Sequence, residues 1–159
     1  MAIDERLQQL GLVLPDALRP PSGATYPFVW SRVQGDRVYL SGHLPLQPDG
    51  SLAKPLGKVG AEVTLEQVAL AARLVALAAI GSLRRELGDL DRVAGWLHVF
   101  AMVNTAPGFT HMAAVVNGFS ETILEVFGPE IGRHSRSAVG VAELPYGVPV
   151  EIEAEVQIH

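Results

Sequence analysis

Val150-Glu151-Ile152-Glu153-Ala154-Glu155-Val156-Gln157-Ile158 alternates apolar and polar residues without a fault. Successive side chains of a strand point to opposite faces, so this stretch predicts a β-strand with one face for a core. Its other face carries Glu151, Glu153, Glu155 and Gln157. Immediately upstream, Ser135 to Ala142 is a second β-prone run, joined to the first through Leu144-Pro145-Tyr146-Gly147. In that run Arg136 shares a face with Ala138, Gly140 and Ala142, whereas Ser137, Val139 and Val141 point the other way.

Farther back, Phe109 to Phe127 has a helical pattern, entered at Thr105-Ala106-Pro107 and closed by Gly128 and Pro129. Val93 to Val103 is apolar at both sets of alternating positions, as expected of a central strand covered on both faces. Thr64-Leu65-Glu66-Gln67 reads as a capping box. It opens a helix with Leu65, Val68, Ala72, Val75, Ala76 and Ala79 on one stripe and Gly88 at its stop. Gly42 to Gly60 is a long loop punctuated by Pro and Gly, and such loops are often functional. Phe28 to Val33 and Arg37 to Ser41, separated by Gln34-Gly35-Asp36, predict two antiparallel strands. The order β-β-α-β-α-β-β predicts an α+β fold, one sheet with helices on one face.

Residues 1–25 stand apart from that pattern. Ile3, Leu7 and Leu10 have helical spacing, with Asp4 placed to cap and Gly11 to end the turn. Pro and Gly then punctuate the chain as far as Gly23. The expectation is an N-terminal arm with a short helix (1–25) appended to a domain that spans 26–159.

Hydrophobic residues make up 48% against 18% charged, the balance of a chain that folds. Seventeen acidic against twelve basic residues leave a net charge of −5, which speaks against a nucleic-acid partner. Without cysteine there is no disulfide, thiolate nucleophile or Cys-ligated zinc. Arg73 and Arg84 close the uncharged stretch Leu74 to Leu83 at about half the length of a bilayer span, so no membrane segment is expected. Asp4 and Glu5 stand where a secretory signal is basic, and the expected location is cytoplasmic.

No phosphate-binding glycine loop, zinc-protease, EF-hand or hydrolase-elbow motif occurs. His43, His98, His111, His134 and His159 show no ligand spacing, so no metal is expected. Arg136 among very small neighbours is the more informative feature, because a guanidinium fork suits a carboxylate held by two hydrogen bonds. The alternative is an ordinary ion pair with the acidic row Glu151, Glu153 and Glu155 on an adjoining strand. That row, its members roughly 7 Å apart, is either a solvated face or a source of a carboxylate able to handle water.

The run Ser135-Arg136-Ser137-Ala138-Val139-Gly140-Val141-Ala142-Glu143-Leu144-Pro145, followed by Val150-Glu151-Ile152-Glu153-Ala154, resembles the C-terminal signature of the Rid family, the YjgF/YER057c/UK114 group. Gly35-Asp36-Arg37-Val38-Tyr39-Leu40-Ser41-Gly42-His43-Leu44-Pro45 resembles that family's second strand and the loop after it. The resemblance covers residues 26–159 and implies a chorismate-mutase-like fold, a mixed sheet with two helices on one face, assembled as a homotrimer with clefts between subunits. It implies hydrolysis of a 2-imino or enamine acid to a 2-oxo acid and ammonia, with no cofactor. Arg136 matches the arginine that grips the substrate carboxylate and Gly42 the backbone that helps hold it. Ser41 and Asn117 match cleft residues, and Glu151 the glutamate that handles water. Phe28 stands where many active members have tyrosine and Ala138 where they have cysteine, which favours a second reading as a trimeric carboxylate-binding module without turnover. Ribonuclease or translation-inhibitor activity, attributed to some members, is the third.

Overall fold

The computed structural model describes residues 1–159. Helix α1 (Ile3–Gln9) is followed by strands β1 (Ser31–Gln34) and β2 (Arg37–His43), then helix α2 (Leu65–Leu87). Strand β3 (Val93–Asn104), helix α3 (Met112–Ile131), β4 (Ser135–Val141) and β5 (Val150–Ile158) complete the chain. The strands form one mixed sheet in the order β1-β2-β5-β3-β4, with β3 and β4 parallel and every other pair antiparallel. The expected α+β class and element order hold.

The perfect alternation of β5 explains its place at the centre of the sheet. Val150, Ile152, Ala154, Val156 and Ile158 face α2 and α3 and are buried, while the acidic row faces away. Helix α2 lies over β1, β2 and β5, and α3 over β3 and β4. The helices touch where a Cβ on Gly118 would run into the Ala69 carbonyl, so this crossing demands glycine. The Thr64–Gln67 capping box is formed in both directions. By length and composition α2 could cross a membrane, but most of its residues are buried in the core, with Leu65 and Leu70 the exposed apolar exceptions.

Four expectations need correction. Residues 1–25 are not merely appended, because Ile3 and Leu7 of α1 are buried in the main core, each contributing about 2 kcal/mol. The Asp91 carboxylate also accepts the Ile3 N–H at 2.8 Å, and Arg84 pairs with Asp4. Strand β1 begins at Ser31 rather than Phe28. Helix α3 starts at Met112 rather than Phe109, since Gly108 adopts a φ of +87° and holds the chain in a turn. Finally, β3 is covered on one face only, leaving His98 exposed and Phe100 and Met102 partly so on the other.

Candidate functional site

Strand β2 pairs with β5 through Leu40–Ala154 and His43–Ile152, so Ser41 and Gly42 together face Glu153 alone. This bulge re-aims the backbone. The Ser41 N–H still donates to the Trp30 carbonyl, and its hydroxyl donates to the Val29 carbonyl at 2.7 Å. Phe28 and Val29 are exposed and leave the sheet here, which is why β1 is short. Beside the bulge opens a cleft of about 440 Å³, walled by Tyr26, Phe28, Trp30 and Tyr146 and floored by Ser41, Gly42, Glu151 and Glu153. Tyr26 stacks on Phe28 with ring centres 5.2 Å apart, and Trp30 meets both rings edge-on.

Gly42 is needed for close approach, since a Cβ there would collide with the Glu151 carboxylate. That carboxylate is partly withdrawn from water. Burial, and then the like charge of Glu153, push its pKa above the ordinary glutamate range. A carboxyl so placed can take a proton from water and return it.

Beneath the bulge the imidazole of His43 is sealed at 4% exposure. Its Nδ1–H donates to the Ser41 carbonyl at 2.6 Å, and its Nε2 accepts from the Ser82 hydroxyl at 2.7 Å. Arg85 donates to that same hydroxyl oxygen and to the Pro15 carbonyl, both at 3.0 Å. Burial lowers the His43 pKa to about 4, with the Ser41 hydrogen bond opposing and nearby Arg85 assisting.

The second constellation lies between α3 and β4. Arg136 donates from one terminal nitrogen to the Ser120 hydroxyl at 2.9 Å and from the other to the Ala113 carbonyl and Asn117 Oδ1, each at 3.1 Å. His134 completes it. Its Nε2 accepts from the Ser120 hydroxyl at 2.9 Å while its Nδ1–H donates to the Gly132 carbonyl at 2.7 Å. Burial holds the His134 pKa below the ordinary histidine value, so it is neutral beside the guanidinium. Arg136 is half-buried and makes no ion pair. Three neutral acceptors fix its fork without cancelling its charge, an arrangement suited to an anion.

The residues singled out in the sequence thus fall into two groups. Phe28, Ser41, Gly42 and Glu151 line the cleft. Asn117 bonds Arg136, and Ala138 follows on the same face of β4, paired with Ala101. The registers Leu40–Ala154, Ala154–Val99 and Val99–Arg136 set Arg136 three strands from β2, roughly 14 Å away, on the helix side of the sheet. The alternative pairing of Arg136 with the acidic row is therefore excluded: β3 separates β4 from β5, and the row faces the opposite side. Sequence reasoning missed Tyr26, Trp30, Tyr146, Ser120 and His134. The cleft's phenols come from positions 26 and 146, not from 28.

The family model described as "YjgF/chorismate mutase-like, putative endoribonuclease" matches residues 4–148. The chain belongs to that family. The match begins inside α1, so the family region takes in most of the segment 1–25. Among relatives of this YjgF-family chain, Protein TCP17 of Trypanosoma cruzi is 40% identical over 153 residues, 96% of this chain and 92% of TCP17. The crystal structure of Atu1372 from Agrobacterium tumefaciens, described as of unknown function, superimposes with a TM-score of 0.86 at 34% identity, covering 99% of this chain and 92% of that one. A Shewanella oneidensis protein described as a "putative endoribonuclease" gives a TM-score of 0.90 at 26% identity, covering 99% and 100% of the two chains.

Proposed function

We propose that the protein hydrolyses a 2-imino or enamine acid to the 2-oxo acid and ammonia, in a site built from two copies of the chain. The observation that carries this reading is the Glu151 carboxyl resting on the bare Cα of Gly42, its pKa raised by burial in an apolar cleft. A 2-imino acid also needs a cation for its carboxylate, and none lines the cleft. Arg136 is unpaired and pre-positioned, but on the far side of its own sheet. A second copy delivering Arg136, Asn117 and Ala138 to the cleft completes the set. The uncovered sheet face, with Tyr39 and Val139 exposed, is a surface for such assembly into the homotrimer that the family resemblance implies.

In this scheme Glu151 takes one proton from water as the water oxygen bonds to C2 of the imine. Glu151 returns that proton to the nitrogen, giving a carbinolamine. The second water proton then passes from the C2 hydroxyl through Glu151 to the nitrogen as the C2–N bond breaks and the C2=O bond forms, releasing ammonia. Imine and water yield 2-oxo acid and ammonia, so atoms and charge balance. The test generates 2-aminoacrylate in situ and follows 2-oxo acid release. Wild type accelerates it, and Arg136→Ala loses about a hundredfold in kcat/KM, the scale of a lost charge-assisted pair. No acceleration by wild type sinks the reading.

Phe28 and Ala138, which lack the hydroxyl and thiol of active relatives, favour the second reading, a carboxylate-binding module without turnover. Binding of pyruvate that depends on Arg136, with no catalysis, would establish it. An RNA-cleaving role meets two carboxylates in the cleft and a net charge of −5, both repelling a phosphate backbone.

A further inference from the structure

We propose that Tyr26 and Tyr146 act as one hydrogen-bonding unit whose unshared phenolic proton is donated to the oxygen on C2 of the bound acid. The inference rests on the cleft being a 2-imino and 2-oxo acid site, and adds what recognises the ligand beyond its carboxylate.

The two hydroxyls come from opposite ends of the domain and meet at 2.5 Å inside the cleft. Each phenol has a single O–H. One of the two protons is spent between them, and neither oxygen has another protein partner. One O–H is therefore left over, on the phenol that accepts. Accepting a hydrogen bond polarises that hydroxyl and strengthens it as a donor. The competing side-chain groups on the floor do not serve: the Ser41 hydroxyl is committed to Val29, and Glu151 and Glu153 only accept when ionised.

Both rings are also held in place. Tyr26 is clamped by its stack on Phe28 and its edge contact with Trp30. Tyr146 sits between Pro145 and Gly147 with φ at +59°, the only residue other than glycine in the left-handed region. A bulky aromatic residue is disfavoured there, and a strained residue at a cleft is a pointer to function. Glycine would relieve the backbone but remove the hydroxyl. Since Glu151 delivers water to C2 in this same cleft, the oxygen that arrives on C2 is the acceptor at hand.

The test measures binding of 2-oxobutanoate and of butanoate, which lacks the C2 oxygen, by calorimetry. The proteins are wild type, Tyr26→Phe, Tyr146→Phe, the double variant and Arg136→Ala, with thermal stability followed in each. The single variant that removes the ligand-facing hydroxyl is expected to lose about tenfold in affinity for 2-oxobutanoate and the other, which removes only its polarising partner, less. The double variant is expected to lose no more than the larger single loss, and butanoate binding to stay unchanged. Arg136→Ala weakens both ligands. Unchanged 2-oxobutanoate binding in the phenylalanine variants, additive losses, or an equal loss for butanoate overturns the proposal while the carboxylate site stands. If wild type binds neither acid, the underlying reading and the proposal fall together.

Discussion

The chain builds the same side-chain relay twice, histidine to serine hydroxyl to arginine, and puts the two copies to different ends. In His43–Ser82–Arg85 the imidazole is sealed beneath the bulge, and Arg85 spends its other terminal nitrogen on the Pro15 carbonyl. In His134–Ser120–Arg136 the arginine stands half-exposed at the sheet edge, with neutral partners and an uncompensated charge. Identical chemistry therefore ties the N-terminal segment and the bulge to α2 in one place and presents a cation in the other. The difference lies at the histidine, sealed at His43 and half-buried at His134, and in what else the arginine holds, the Pro15 carbonyl for Arg85 and acceptors on α3 for Arg136. Arg85 is itself exposed and makes no ion pair.

The sharpest way to break that contrast is acid. His43 has an ordinary pKa of 6.5 lowered to about 4 in the fold, so the unfolded chain binds the extra proton first. The stability this gives is complete above about pH 6.5 and is lost as pH falls toward and through about 4, amounting to about 3 kcal/mol. Denaturant unfolding at neutral pH and near pH 4 should show that decline in wild type and a flatter one in His43→Gln. Parallel slopes would remove His43 from the account.

A smaller effect distinguishes the serines. Ser82→Ala strands the buried Nε2 of His43 and should cost about 2 kcal/mol of stability. Ser120→Ala frees Arg136 from one of three acceptors, and is expected to lower 2-oxo acid affinity about tenfold with the melting temperature unchanged. Equal binding losses in both variants would erase the distinction. The least effect is expected at Glu153. Its charge contributes less than burial to the raised Glu151 pKa. Glu153→Gln should therefore move the acid limb of kcat/KM toward lower pH without changing the plateau. A limb moved upward would contradict the geometry.

Local patterns were legible in the elements with an unbroken period or a complete cap, though not at the starts of β1 and α3 or in the cover of β3. The alternation of β5 and the Thr64–Gln67 capping box each carry their own period or cap, and both stand as expected. Strand adjacency was not legible. Sequence neighbours usually pair, but the chain leaving β4 passes β3 and returns as β5 on its other side, which dissolves the imagined bridge between Arg136 and the glutamates. Tyr26 read as the start of a domain and Tyr146 as part of a linker, because two hydroxyls so far apart in the chain leave no local trace of meeting. Ser120 and His134 were invisible for the same reason. The backbone strain at Tyr146 exists only in three dimensions.

The strand made last occupies the middle of the sheet. Strands β1 and β2 can zip together early, and β3 can gather β4 across α3, yet nothing hydrogen-bonds one pair to the other until β5 has emerged from the ribosome. Biosynthesis thus runs with two unfinished half-sheets waiting on a keystone, each exposing an edge strand open to wrong partners in the crowded cell.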